Sequence, residues 1–172
     1  MNLEARYADI TTLVVDAIVN AANTELRPGG GVCGAIHRAA GLELARACEE
    51  VAPCPTGSAR ITSGFRLPAR FVIHAVGPIW DGGRANEAEL LASAYRSSLD
   101  LARERGLTSI AFPAISTGIY GYPLQAATTI AVQSVRAFEP RGSLSHVIFA
   151  CFNQEALNAY AAEGVTICAA AG

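Results

Sequence analysis

The stretch Asp16 to Gly41 reads DAIVNAANTELRPGGGVCGAIHRAAG and concentrates the residues able to do chemistry. A short apolar strand, Ala17-Ile18-Val19, leads to Asn20 and Asn23, then to a turn with Pro28, and then to Gly29, Gly30 and Gly31. Cys33 and His37 follow on what reads as the first turns of a helix. Consecutive glycines let a ligand approach the main chain closely. A helix start adds unpaired N–H groups and the positive end of a dipole. Together these features describe an anion site suited to phosphate. A second polar turn, Ser116-Thr117-Gly118-Ile119-Tyr120-Gly121, lies between an apolar strand and a helix opened by Pro123, which again places amides beyond the carboxyl end of a strand.

Two familiar phosphate loops do not fit. The dinucleotide fingerprint needs its glycines directly after a strand and an acidic residue on the next one; here a long turn intervenes and no such acid follows. A Walker loop needs lysine, and all 13 basic residues of this chain are arginine. The same absence excludes lysine nucleophiles and Schiff bases. A formal net charge of -2 gives no electrostatic footprint for general nucleic-acid binding, so phosphate has to be held locally by oriented amides.

These loops need a frame, and 172 residues that are 51% hydrophobic and 16% charged can supply one. Residues 2–8 read as an edge strand leading to Asp9-Ile10-Thr11-Thr12, where Asp9 is suited to capping a turn. Ile36, Ala40, Leu44 and Ala47 recur at helical spacing, with a break at Gly41. Residues 59–65 and 71–76 read as two strands, the second apolar enough to be covered on both faces, with His74 as a core residue. Asn86 and Glu89 have the spacing of a capping box before a helix with Leu91, Ala94, Tyr95 and Ala102 on its inner face. Residues 109–112 form a buried strand, a helix runs from Pro123 to a stop at Pro140, 146–152 is a strong buried strand, and a helix around Tyr160 precedes a final strand at 165–168. His37 is expected to make a structural hydrogen bond, and Asn20 to be a turn residue bonding its own backbone. The alternation of strands and helices predicts an α/β fold, a three-layer α/β/α sandwich around a mixed, mostly parallel central sheet.

Five cysteines, Cys33, Cys48, Cys54, Cys151 and Cys168, form no C-x-x-C pair, which argues against a disulfide framework or a zinc site; no metal or cofactor is expected. Glu4, Arg6 and Asp9 stand where a signal peptide would be apolar, and no apolar run is long enough to span a membrane. The reading is a soluble, cytoplasmic chain, expected to be a monomer.

Val19-Asn20-Ala21-Ala22-Asn23, then Gly29-Gly30-Gly31-Val32 and Gly34-Ala35-Ile36-His37-Arg38-Ala39-Ala40-Gly41, resemble the first ligand loop of macrodomains of the MacroD-type ADP-ribosylhydrolases. Phe112-Pro113-Ala114-Ile115-Ser116-Thr117-Gly118-Ile119-Tyr120-Gly121-Tyr122-Pro123 resembles their second loop. The resemblance covers nearly the whole chain and implies a single macrodomain over residues 1–172. It departs at Ala8, where the family has glycine, and at Cys33, where it has aspartate.

The resemblance implies that Asp9 and Ile10 hold adenine, that Phe152 lies against it, and that the amides of Gly30, Gly31, Val32 and Cys33 and of Ser116, Thr117, Gly118, Ile119 and Tyr120 cradle the diphosphate. The distal ribose then falls between Asn23, Cys33 and Tyr120. The implied activity is release of ADP-ribose from acidic side chains of ADP-ribosylated proteins, and also deacetylation of O-acetyl-ADP-ribose. Water must attack the anomeric carbon, and an anion nearby stabilises the charge that develops there. A neutral thiol at Cys33 is a poor replacement for a carboxylate, and losing a general base costs on the order of 10² to 10⁴ in rate. The substrate's own diphosphate can orient the water instead. The rival readings are a module that binds ADP-ribose without turnover and a protein that binds a different nucleotide.

Overall fold

The computed structural model describes residues 1–169. Seven strands form one sheet: β1 (Asn2–Tyr7), β2 (Ala17–Ala21), β3 (Ala59–Ser63), β4 (Phe71–Ala75), β5 (Ser109–Phe112), β6 (His146–Cys151) and β7 (Thr166–Cys168). Their order is β3-β4-β2-β5-β6-β1-β7. Every neighbouring pair is parallel except β3 with β4, so the sheet is mixed and mostly parallel. β1 is not the edge strand expected from the sequence; β7 pairs with Glu4, Ala5 and Arg6 and takes the edge.

Alternation along the strands divides the core. Ala17 and Val19 of β2 and Ile73 and Ala75 of β4 face α3 (Glu87–Glu104), α4 (Leu124–Arg136) and α5 (Gln154–Ala162); Ile18 and Val72 face α1 (Gly31–Ala40) and α2 (Glu43–Val51). The first face is filled by stacked aromatics, with Phe149 4.5 Å from Tyr160 and Tyr95 4.9 Å from Phe112 between ring centroids. Truncating a buried side chain such as Leu91 or Leu99 there should cost about 2–5 kcal/mol. The second face, under α1 and α2, holds the buried polar residues Asn20, His37, Thr62 and His74.

Gly41, at φ 91°, separates α1 from α2 where the sequence predicts a break. The capping box does not form. Asn86 takes a left-handed φ of 58° and caps nothing with its side chain. The buried Glu87 carboxylate instead accepts from the backbone N–H groups of Asp81 and Gly83, both at 2.8 Å, and of Ala85. α4 ends at Arg136, short of Pro140, because Ala137 and Phe138 close it with a tight turn. The strands at 59–63, 71–75, 146–151 and 166–168 are each one or two residues shorter than the sequence suggests, a normal fraying of element ends.

Candidate functional site

Because β4, β2, β5, β6 and β1 run parallel in adjacent positions, their carboxyl ends open on one side of the sheet. The segments that follow them stand in the same order: Gly77 after β4, Asn23 to Gly31 after β2, Pro113 to Tyr120 after β5, Phe152 after β6, and Asp9-Ile10 after β1. The first four enclose a cavity of about 590 Å³. Asn23, Gly30, Gly31, Val32, Cys33, Ser116, Thr117, Gly118, Ile119, Tyr120 and Phe152, all singled out from the sequence, line it. Gly29, Gly77 and Pro113 to Ile115 line it as well and are not on that sequence list. The Gly77-Pro78 stop at the end of β4 is the signal that could have found the second of these.

Asp9 and Ile10 do not line the cavity. Asp9 caps the 3-10 turn Ile10–Thr12: one carboxylate oxygen accepts from Thr11 N–H at 3.0 Å and from Thr11 Oγ1 at 2.7 Å. The pair sits one strand beyond Phe152, because Ala8 N–H donates to the Cys151 carbonyl at 3.1 Å.

The first loop is a main-chain cradle closed by side chains. Gly31 at φ 56° starts α1 from the left-handed region that glycine alone enters freely. Gly30 provides no side-chain cap, so the first amides of α1 are open to a ligand. The Asn23 carboxamide clamps the turn from both sides, accepting from Arg27 N–H at 3.0 Å and donating to the Arg27 carbonyl at 2.9 Å. One amide hydrogen and one oxygen lone pair of Asn23 remain for a ligand. The Cys33 thiol also reaches the Arg27 carbonyl, at 3.7 Å.

The second loop turns on its own backbone. Tyr122 N–H donates to Ser116 O at 2.9 Å, Gly121 N–H to Gly118 O at 2.9 Å, and Trp80 N–H to Tyr120 O at 2.8 Å. Ser116 sits at φ 68°, its hydroxyl buried and without a partner among the described residues. Ile119 is 94% exposed at the rim.

Beneath the first loop Asn20 is no turn residue. Its amide contacts His74 Nδ1 at 3.1 Å and Cys33 Sγ at 3.7 Å. Burial, with a smaller contribution from the neighbouring His37, pushes the His74 pKa down to about 3, so the ring is neutral. His37 is buried and its Nε2 has no partner among the described residues, so the expected structural hydrogen bond is absent; burial lowers its pKa too. Cys33 and Tyr120 are the sole titratable side chains lining the cavity among the described residues. No group of three or more His, Cys, Asp and Glu side chains there could hold a metal ion.

Two open amide turns lining one cavity at the carboxyl ends of parallel strands suit a diphosphate. The profile of the macro domain family matches residues 19–131. This chain belongs to the macro domain family. It is 59% identical to a macro domain-containing protein of Chlorobaculum tepidum over 160 residues, covering 92% of each chain. It is 56% identical to an O-acetyl-ADP-ribose deacetylase of Citrobacter rodentium over 159 residues, 90% of each. Among solved structures, a mutant Oceanobacillus iheyensis macrodomain with ADPR superposes at a TM-score of 0.88, with 44% identity over 92% of this chain and 89% of that one. The macrodomain sheet and helix layers expected from the sequence are therefore those of the family. Among the described residues no helix is long and apolar enough to cross a membrane.

Proposed function

We infer that this macrodomain binds ADP-ribose and hydrolyses it from modified acidic side chains, and that it also deacetylates O-acetyl-ADP-ribose. The observation that carries the reading is the cavity itself, lined by both amide turns together with Asn23 and Phe152. Support comes from the ADPR-bound macrodomain of O. iheyensis and the deacetylase of C. rodentium. In this reading Phe152 lies against adenine, Asp9 and Ile10 hold its outer edge, the α1 amides and the Ser116 to Tyr120 turn hold the diphosphate, and Asn23 holds the distal ribose.

The lining dictates the route. Without a carboxylate or imidazole there, no side chain supplies a ready general base. The substrate diphosphate is the nearest anion and orients the attacking water, while Asn23 fixes the sugar hydroxyls and Tyr120 screens one side of the ring. A second reading, binding without turnover, is favoured by one observation: the Cys33 thiol is turned to the Arg27 carbonyl rather than offering an acid or base to the ligand.

A time course of ADP-ribose release from a glutamate-linked ADP-ribosylated protein tests this, with Asn23→Ala and calorimetric titration of ADP-ribose in parallel. The expected result is release by the native protein and a loss on the order of 10²-fold or more in the variant. Binding without release would establish the second reading, and no binding at all would overturn both.

A further inference from the structure

Behind the cavity wall a chain of buried hydrogen bonds runs from strand β3 to the first loop. Asn20 of β2 and His74 of β4 are register partners in adjacent parallel strands, on the face covered by α1 and α2. Thr62 of β3 lies on the same face. With the Asn20 nitrogen toward His74, the hydrogens follow along the chain, and Cys48 Sγ packs 3.6 Å from His74 Nε2 as a further neighbour. Thr62 Oγ1 donates to the Ser63 carbonyl at 3.2 Å, so toward His74 Nε2, 3.0 Å away, it accepts. His74 therefore carries its hydrogen on Nε2, and its bare Nδ1 accepts from the Asn20 amide at 3.1 Å. The second hydrogen of that amide points to Cys33 Sγ at 3.7 Å, and the thiol hydrogen goes to the Arg27 carbonyl at 3.7 Å, where Asn23 also donates.

Asn20 Oδ1 is left buried without a partner among the described residues. An orphaned buried carbonyl of this kind costs about 1–3 kcal/mol.

We propose that His74 is a positioning residue for the ligand cavity: through Asn20 it fixes the Cys33 sulfur so that it faces the ligand with a lone pair and no hydrogen. His74 never touches the ligand. The consequence for chemistry is specific. A thiol turned this way cannot compete with the ligand's hydroxyls for the diphosphate or donate to the attacking water. Its relevance to turnover rests on the hydrolase reading; the sulfur's orientation does not.

The test is alkylation of the intact protein by iodoacetamide, mapped by peptide mass spectrometry, with the partly exposed Cys168 as internal reference; Cys33 is buried but lines the cavity, whereas Cys48, Cys54 and Cys151 are buried away from it. His74→Leu removes the acceptor for Asn20, whereas His74→Asn places an oxygen near the Nδ1 position. The expected result is about a tenfold slower reaction at Cys33 in His74→Leu, from loss of the hydrogen bond that orients its sulfur, with the Cys168 rate unchanged and the Cys33 rate recovered in His74→Asn. Should His74→Leu fail to fold, His74→Gln, which keeps an acceptor only near Nε2, takes its place with the same slowing expected. A Cys33 rate that is unchanged or faster, or one that His74→Asn does not recover, overturns the assignment. Protection of Cys33 by ADP-ribose is read on the same samples. Its absence would count against the function proposed above without touching the role of His74.

Discussion

The loop after β2 is tied mainly by side chains, and the loop after β5 mainly by main-chain hydrogen bonds, with one side-chain tie from the Thr117 hydroxyl to the Ala114 carbonyl at 2.8 Å. In the first, Asn23 and Cys33 both converge on the Arg27 carbonyl, and Asn20 with His74 supports Cys33 from below. In the second, the Ser116, Gly118 and Tyr120 carbonyls take backbone donors, and the Ser116 hydroxyl is left over. Both loops present amides to one cavity, yet they are open to different perturbations. Side-chain changes and acid should act on the first, and changes in main-chain space on the second.

The sharpest way to break the second loop is to remove room for its backbone. A Cβ on Gly77 would stand 2.2 Å from Ser116 Oγ and 2.5 Å from Ile115 Cγ2. Gly77→Ala should therefore destabilise the fold by about 3 kcal/mol and weaken ADP-ribose binding, as denaturant titration and calorimetry would show. A variant as stable and as tight-binding as the native protein would mean that the loop yields freely.

Acid should act under the first loop. Burial holds the His74 pKa at about 3, against an ordinary 6.5. Between those values the unfolded chain takes up a proton that the folded one refuses. Stability is thus fully present above pH 6.5 and falls as the pH drops toward 3, by up to roughly 1.4 kcal/mol per pH unit. Comparing urea midpoints at pH 7 and pH 5 for native protein and His74→Asn measures it. The variant should lose most of the slope, keeping only the part due to His37, whose pKa is also lowered.

The smallest effect concerns Ser116, whose φ of 68° is strained for a side chain and whose hydroxyl has no partner among the described residues. Ser116→Gly relieves the strain and removes nothing bonded, while adding freedom to the unfolded chain. The net change should be a stabilisation of about 0.5 kcal/mol. A fall in ADP-ribose affinity in this variant would show that the hydroxyl serves the ligand, so that the second loop holds it with a side chain as well as with amides.

Much of this was open to reading from the sequence, for a physical reason. Strands β2, β4, β5 and β6 are short apolar runs bounded by glycine, proline or polar turns, so hydrophobic pattern and breakers locate them without tertiary information. The two glycine-bearing turns declare an amide cradle because the amides are properties of the backbone. β1 was misplaced as an edge because the final strand, though expected at 165–168, carries no local signal of which neighbour it pairs with; its register with Glu4, Ala5 and Arg6 puts it outside β1. Glu87 was overlooked in favour of the Asn86–Glu89 spacing because its three donors come from a loop whose path no local rule specifies.

The sequence by itself determined the alternation of elements, the amides of both loops and the presence of a thiol at Cys33, since each depends on residues close in the chain. Only the tertiary structure decided which strands stand side by side, and hence that Asn20 faces His74 and that Asp9 lies one strand beyond Phe152. Strand order and register join residues far apart in sequence, and the direction of a thiol or an amide hydrogen is set by partners that only such pairing brings within 4 Å.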